Sequence, residues 1–115
     1  MIGISTAVKD EMLQASFADR VFSVGLFSGD DEIQDRIYQR RDVMFSSPVG
    51  EGTRYVQNND VILFEGFNNA HNVDGWAVFD ATGEVRAKYR LVKPLDVSSD
   101  IDAKFRPGEL RIGLP

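Results

Sequence analysis

The chain has 115 residues, 43% of them hydrophobic and 27% charged, with a net charge of −5 and no cysteine. That length suits one domain, large enough to bury a core without staples. The composition excludes thiol nucleophiles, zinc–thiolate sites, iron–sulfur clusters and disulfide frameworks, while the acidic balance (pI near 4.7) disfavours nucleic acid and anionic membrane surfaces as partners.

Met1–Ser5 carries neither a basic nor an apolar signal region, so no secretory signal is expected. No apolar run approaches the ~18 residues of a spanning helix. Residues 5–18 read as a short amphipathic helix, with Ser5 or Thr6 positioned to cap it by accepting a free backbone N–H. Val8, Met12, Ala15 and Phe17 are assigned to one face with Leu13 at its flank, and Lys9, Asp10, Glu11 and Gln14 to the other. Asp19-Arg20 is expected to end the helix.

From Val21 the period changes from 3.6 to 2. Phe22, Val24 and Leu26 alternate with Val21, Ser23 and Gly25, which predicts a strand over 21–28. After the polar break Gly29–Glu32, a second strand is expected over 37–46. Its alternation slips near Asp42–Val43, as at a bulge. Residues 46–52, with one proline and two glycines, form a loop. Tyr55-Val56 is a short strand. Residues 61–64 are an apolar β run expected to be buried on both faces, and Asn68–Asn72 a loop. Gly75–Phe79 and Val85–Val92 read as the arms of a hairpin joined at Asp80-Ala81-Thr82-Gly83 and closed by Pro94. In the second arm, Val85, Ala87, Tyr89 and Leu91 share one face, and Arg86, Lys88 and Arg90 the other. Ile101–Phe105 and Glu109–Leu114 complete the strands. One helix followed by seven or eight short strands predicts a mainly β chain: an antiparallel β-sandwich over 19–115, preceded by a helical docking segment over 1–18.

Few residues offer chemistry. His71 is the single histidine; alone it makes neither a triad nor a zinc site, and it reads as a solvated loop residue. The acidic groups Asp30-Asp31-Glu32 and Asp96/Asp100/Asp102 lack calcium-loop spacing. Gly50-Glu51-Gly52 precedes no helix, so the phosphate-loop fingerprints fail. The aromatics fall at core spacing. Arg86, Lys88 and Arg90 place three cations on one strand face, fit for contact with an acidic neighbour or simply a solvated outer face. Arg36, Arg40 and Arg41 form a weaker basic group. No metal or other cofactor is expected.

The order of the segments carries more than any one of them. Val21–Ser28 (VFSVGLFS) is followed by Tyr38, Arg40, Phe45 and Pro48, and then by Asn59, Ile62, Leu63 and Phe64. Next come Gly75–Gly83 (GWAVFDATG) and Phe105, Gly108, Leu110 and Ile112. Over nearly the whole chain this order resembles a family of small tailed-bacteriophage virion proteins, the phage tail fibre-like proteins. The resemblance implies a non-enzymatic structural subunit, located in the virion and assembled in the host cytoplasm. Its partners would be other phage structural proteins, capsid or tail subunits, and further copies of itself, with neither nucleic acid nor membrane as a partner. The candidate contact residues are Val8, Met12 and Phe17 on the helix and Arg86, Lys88 and Arg90 on the strand. A tail or fibre-attachment role leads. A capsid decoration (cement) protein is the alternative, and a glycan-binding module with an exposed Trp76 or Tyr55 the second. An enzyme such as a glycan depolymerase is the most remote, since the short chain leaves little room for a cleft.

Overall fold

A computed structural model describes residues 5–18, 20–51 and 53–113. Asp19 as the helix end, Gly52 in the loop and Leu114 as the end of the last strand lie outside them. The chain is mainly β, with antiparallel sheets and one short N-terminal helix, as expected. The helix α1 spans Thr6–Phe17, and the Ser5 side chain caps it by accepting the Val8 N–H at 3.3 Å. The strands are β1 (Val21–Ser28), β2 (Asp31–Glu32), β3 (Arg41–Met44), β4 (Tyr55–Gln57), β5 (Ile62–Phe64), β6 (His71–Phe79), β7 (Val85–Val97), β8 (Ala103–Phe105) and β9 (Arg111–Gly113).

Alternation in β1 and β6 builds the main sheet. β1 pairs with β6, and β6 with β7, while the other edge of β1 is divided between β3 (opposite Val21–Val24) and β2 (opposite Phe27-Ser28). Two ribbons, β4–β9 and β5–β8, complete the fold. The core gathers Phe22, Val24 and Leu26 of β1 and Trp76 and Val78 of β6. Against them lie Val56, Ile62, Phe64, Phe105, Leu110 and Ile112 from the ribbons and the turn before β9. Buried among them, Asn58 is fully used: its side chain donates to Asp60 O and Arg106 O and accepts from Leu110 N. A buried amide is tolerated only when satisfied in this way.

Several expectations are corrected. The strand expected over 37–46 is shorter, and β3 runs against β1 without a bulge at Asp42–Val43. The irregularities lie instead in the β6–β7 hairpin, between Val73 and Gly75 and between Val78 and Phe79. Val61 and Leu63 are exposed, so the run 61–64 is buried on one face only. Pro94 does not close β7. Leu91–Pro94 stand opposite the single residue Asp74, so the ladder is interrupted where proline would lack a donor, and pairing resumes at Leu95. His71 is the first residue of β6 rather than a loop residue.

The helix is turned from its expected orientation. At ~100° per residue, Phe17 falls about 180° from Val8, so these two do not share a face. Leu13 is the anchor at 1% exposure, with Phe17 beside it, and Val8 and Met12 face solvent. Asp10 and Arg54 fasten the inward side: Arg54 Nε and Nη2 donate to the two Asp10 oxygens at 2.9 and 3.1 Å. The same guanidinium donates to Gly50 O and Pro48 O. One side chain thus ties α1 to the loop before β4.

Candidate contact surfaces

Of the six candidate contact residues, Val8 and Met12 stand one turn apart on the outer face of α1, at 44% and 45% exposure. Phe17 is not available in the same way. Its half-buried ring packs on Phe22 and Phe45, with centroids 5.6 and 6.0 Å away. Leu13, Phe17 and the Arg54 clamp fix the helix, so Val8 and Met12 are presented from a rigid support.

Arg86, Lys88 and Arg90 do share the exposed face of β7. Beneath them the outer face of the sheet holds a second small core of Phe27, Ala77 and Phe79. Phe27 and Phe79 stack at 6.3 Å. Lys88 lies over the Phe27 ring at 4.3 Å and Arg40 over the Phe79 ring at 3.5 Å. The two basic groups of the sequence therefore converge: one cation from each covers a ring of the same apolar pair, a contact worth about 0.5–1 kcal/mol at exposed sites. Arg86 approaches Asp80 at 3.9 Å, and Arg90 has no ion pair among the described residues.

Arg40 is held by the divided edge of β1. Leu26, between the stretches paired with β3 and β2, donates its N–H to Tyr38 Oη at 2.9 Å. Tyr38 Oη donates to Glu32 Oε2 at 2.6 Å, and Glu32 accepts Arg40 Nε and Nη2 at 3.0 and 2.8 Å. Burial works against the Glu32 charge, but the hydrogen bonds from Arg40 and Tyr38 outweigh it and hold the carboxyl below its ordinary value. Burial and the Glu32 carboxylate together push the Tyr38 hydroxyl well above its ordinary value. The cluster fits over Gly25, where a Cβ would lie 2.6 Å from Glu32 Oε2 and 2.9 Å from Phe79 Cε2.

His71 reads differently once its neighbours are placed. Its Nε2 lies 2.7 Å from Asp35 Oδ2, and Asp35 also accepts the backbone N–H groups of Ile37, Asn68 and Asn69. The Asp35 side chain is sealed from solvent. Desolvation opposes its charge, yet the His71 and backbone hydrogen bonds prevail and hold the carboxyl far below its ordinary value. The pair ties the 33–40 segment to the start of β6. Among the described residues no hydroxyl bonds to His71, and no group of three His, Cys, Asp or Glu could hold a metal ion.

The aromatics named for a glycan platform are occupied by the protein itself. Trp76 is 4% exposed and stacks on Tyr89 at 5.1 Å; Tyr55 is half-buried under the Arg111 guanidinium at 4.5 Å. Among the described residues the exposed apolar side chains include Val8 and Met12 on α1, Val92 at the interruption of β7, and Val21, Met44 and Val61 beside the β3–β5 junction; Ile37, Leu63, Val85 and Ile101 are exposed as well. The convergence of Arg40 and Lys88 depends on pairing between distant segments, and the isolation of Val92 on a register shift within the β6–β7 hairpin; neither leaves a local pattern in the chain.

Comparison with known proteins adds no relative: no family model matches the chain, and no curated protein or solved structure matches it.

Proposed function

We propose that this chain is a non-enzymatic structural subunit of a tailed-phage virion, placed at a tail or fibre-attachment point and working by protein–protein contact. The observation that carries the reading is the exposure of Val8 and Met12 on a helix that is anchored on its other side. Two apolar side chains one turn apart, on a helix clamped by Leu13 and by Arg54–Asp10, form a preorganised docking face. The order of strand segments that resembles the tail fibre-like family supplies the particle. The burial of Trp76 weighs against the glycan-binding alternative, whose stacking platform would need an open ring.

The test is copy number in purified particles, by quantitative peptide mass spectrometry against the major capsid protein. A few to a few dozen copies per particle is the expected result. A ratio near one per capsid subunit would move the protein to the head shell as a decoration protein, and absence from particles would overturn the virion reading. A Val8→Lys/Met12→Lys chain, folded normally but left out of particles, would identify the helix face as the docking element.

A further inference from the structure

Two surface features far apart on the molecule are complementary in polarity and in charge. The first is a knob. Leu91–Pro94 bulge from β7 opposite Asp74, and at their crest Val92 is as exposed as in an extended chain, at 105%. Lys93 and Arg90 beside it are exposed cations without an ion-pair partner among the described residues.

The second is a groove of about 200 Å³ between β3 and β5. Val21, Met44 and Val61 line it, at 57%, 42% and 51% exposure. Asp42 and Asp60 also line it, and neither carboxylate has an ion-pair partner among the described residues. A space of roughly 150 Å³ holds a benzene, so an aliphatic side chain fits. An apolar groove with acidic margins selects an apolar knob with basic margins.

The two features cannot meet within one molecule. Val21 and Met44 pair at one end of β1, while Arg90 is in register with Gly75 and so with Phe27 at the other end. At ~3.4 Å per residue and ~4.8 Å per strand, the separation is on the order of 20 Å. The bare outer edge of β7 offers a different route to self-association, but antiparallel pairing of two such edges would set Arg86, Lys88 and Arg90 of each copy against the same cations. That like-charge contact is a known guard against edge pairing.

We infer that the occupant of the groove is a second copy of this chain: the Val92–Lys93 knob of one molecule seats against Val21, Met44 and Val61 of the next, with Lys93 and Arg90 facing Asp42 and Asp60. The contact joins unlike patches, so it runs head to tail and either closes into a ring or extends as a filament. A knob of this size buries less than the ~1,200 Å² of a stable complex, so association is weak in dilute solution and grows where copies are concentrated. The inference rests on the surface alone and holds or fails independently of the virion reading.

Complementation between two disabled surfaces tests it. Sedimentation velocity of the full chain, from micromolar to millimolar concentration, should show mass rising with concentration and the rise suppressed by salt. Val92→Asp and Met44→Asp should each remain monomeric with unchanged circular dichroism. Mixed in equal amounts they should form a one-to-one heterodimer that grows no further, because the first retains a groove and the second a knob. Val61→Asp replaces Met44→Asp if the latter disturbs folding. A wild type that stays monomeric throughout, a Val92→Asp chain that associates like wild type, or a mixture that stays monomeric would each overturn the inference.

Discussion

Replacing Tyr38 by phenylalanine isolates the hydroxyl at the divided edge of β1. The ring keeps its stack on Phe64, 6.1 Å away, so little packing is lost. Two bonds disappear: Leu26 N–H to Tyr38 Oη and Tyr38 Oη to Glu32. Leu26 is fully buried, and an unsatisfied buried donor costs ~1–3 kcal/mol. Glu32 keeps Arg40 and is partly exposed, so water replaces much of the second bond and its loss adds at most about 1 kcal/mol. The sum is a loss of about 1–4 kcal/mol. At ~4 °C per kcal/mol for a domain near this size, the melting midpoint should fall by roughly 4–16 °C. Urea unfolding with an unchanged m-value would confirm that stability alone has moved. The Glu32 carboxyl should also titrate closer to its ordinary value, because one of the bonds holding it down is gone. A Tyr38→Phe chain within about 0.5 kcal/mol of wild type, the range of neutral surface changes, would refute the role given to this hydroxyl.

Gly25→Ala should destabilise the fold by about 1–3 kcal/mol in urea titrations, because the new methyl meets the pinned Glu32 carboxylate and the buried Phe79 ring; a gain in stability would mean that the cluster yields freely. Leu13→Ala should cost about 2–4 kcal/mol and open the helix to limited proteolysis, whereas Met12→Ala, on the exposed side, should do neither. Asp35 has its folded-state pKa depressed, so its stabilisation is present above the ordinary carboxylate value of about 3.9 and is lost as pH falls below it. Asp35→Asn should therefore lower the urea midpoint at pH 7 and flatten its decline through the acid range; an unchanged acid limb would remove Asp35 as a determinant.

Where pairing follows local period, the sequence was legible. The strand at 21–28, the hairpin turn at Asp80–Gly83 and the two faces of β7 all lie where alternation and turn chemistry put them. Asp80 in that turn accepts from Thr82 N, Thr82 Oγ1 and Glu84 N, the bonding expected of a turn-opening aspartate. The orientation of the helix was not legible, because α1 carries two apolar stripes, Val8/Met12/Ala15 and Leu13/Phe17. Periodicity cannot choose between them; the tertiary contacts do, through the core that receives Leu13 and Phe17 and the Arg54 that stands opposite Asp10. Pro94 misled for a related reason. A proline ends a strand only where the ladder needs a backbone donor at its position, and that need depends on a partner strand whose register shifts between Val73 and Gly75. The Asp35–His71 tie and the convergence of Arg40 with Lys88 join segments separated by more than thirty residues, beyond the reach of any local pattern.

The strand connectivity also bears on time. β6 and β7 are joined by a tight turn and form the largest single set of interactions in the fold, so their pairing closes a short loop at small entropic cost. The ribbons are the opposite case: β9 must find β4, and Asn58 must find Leu110, 52 residues later in the chain. Closing such distances before other contacts exist is slow. The hairpin is therefore expected to lead folding and the β4–β9 ribbon to finish it. Mutations at Val78 should then slow refolding, and mutations at Ile112 should mainly speed unfolding. A nascent chain would hold its hairpin early and wait, half-finished, for β9 to emerge.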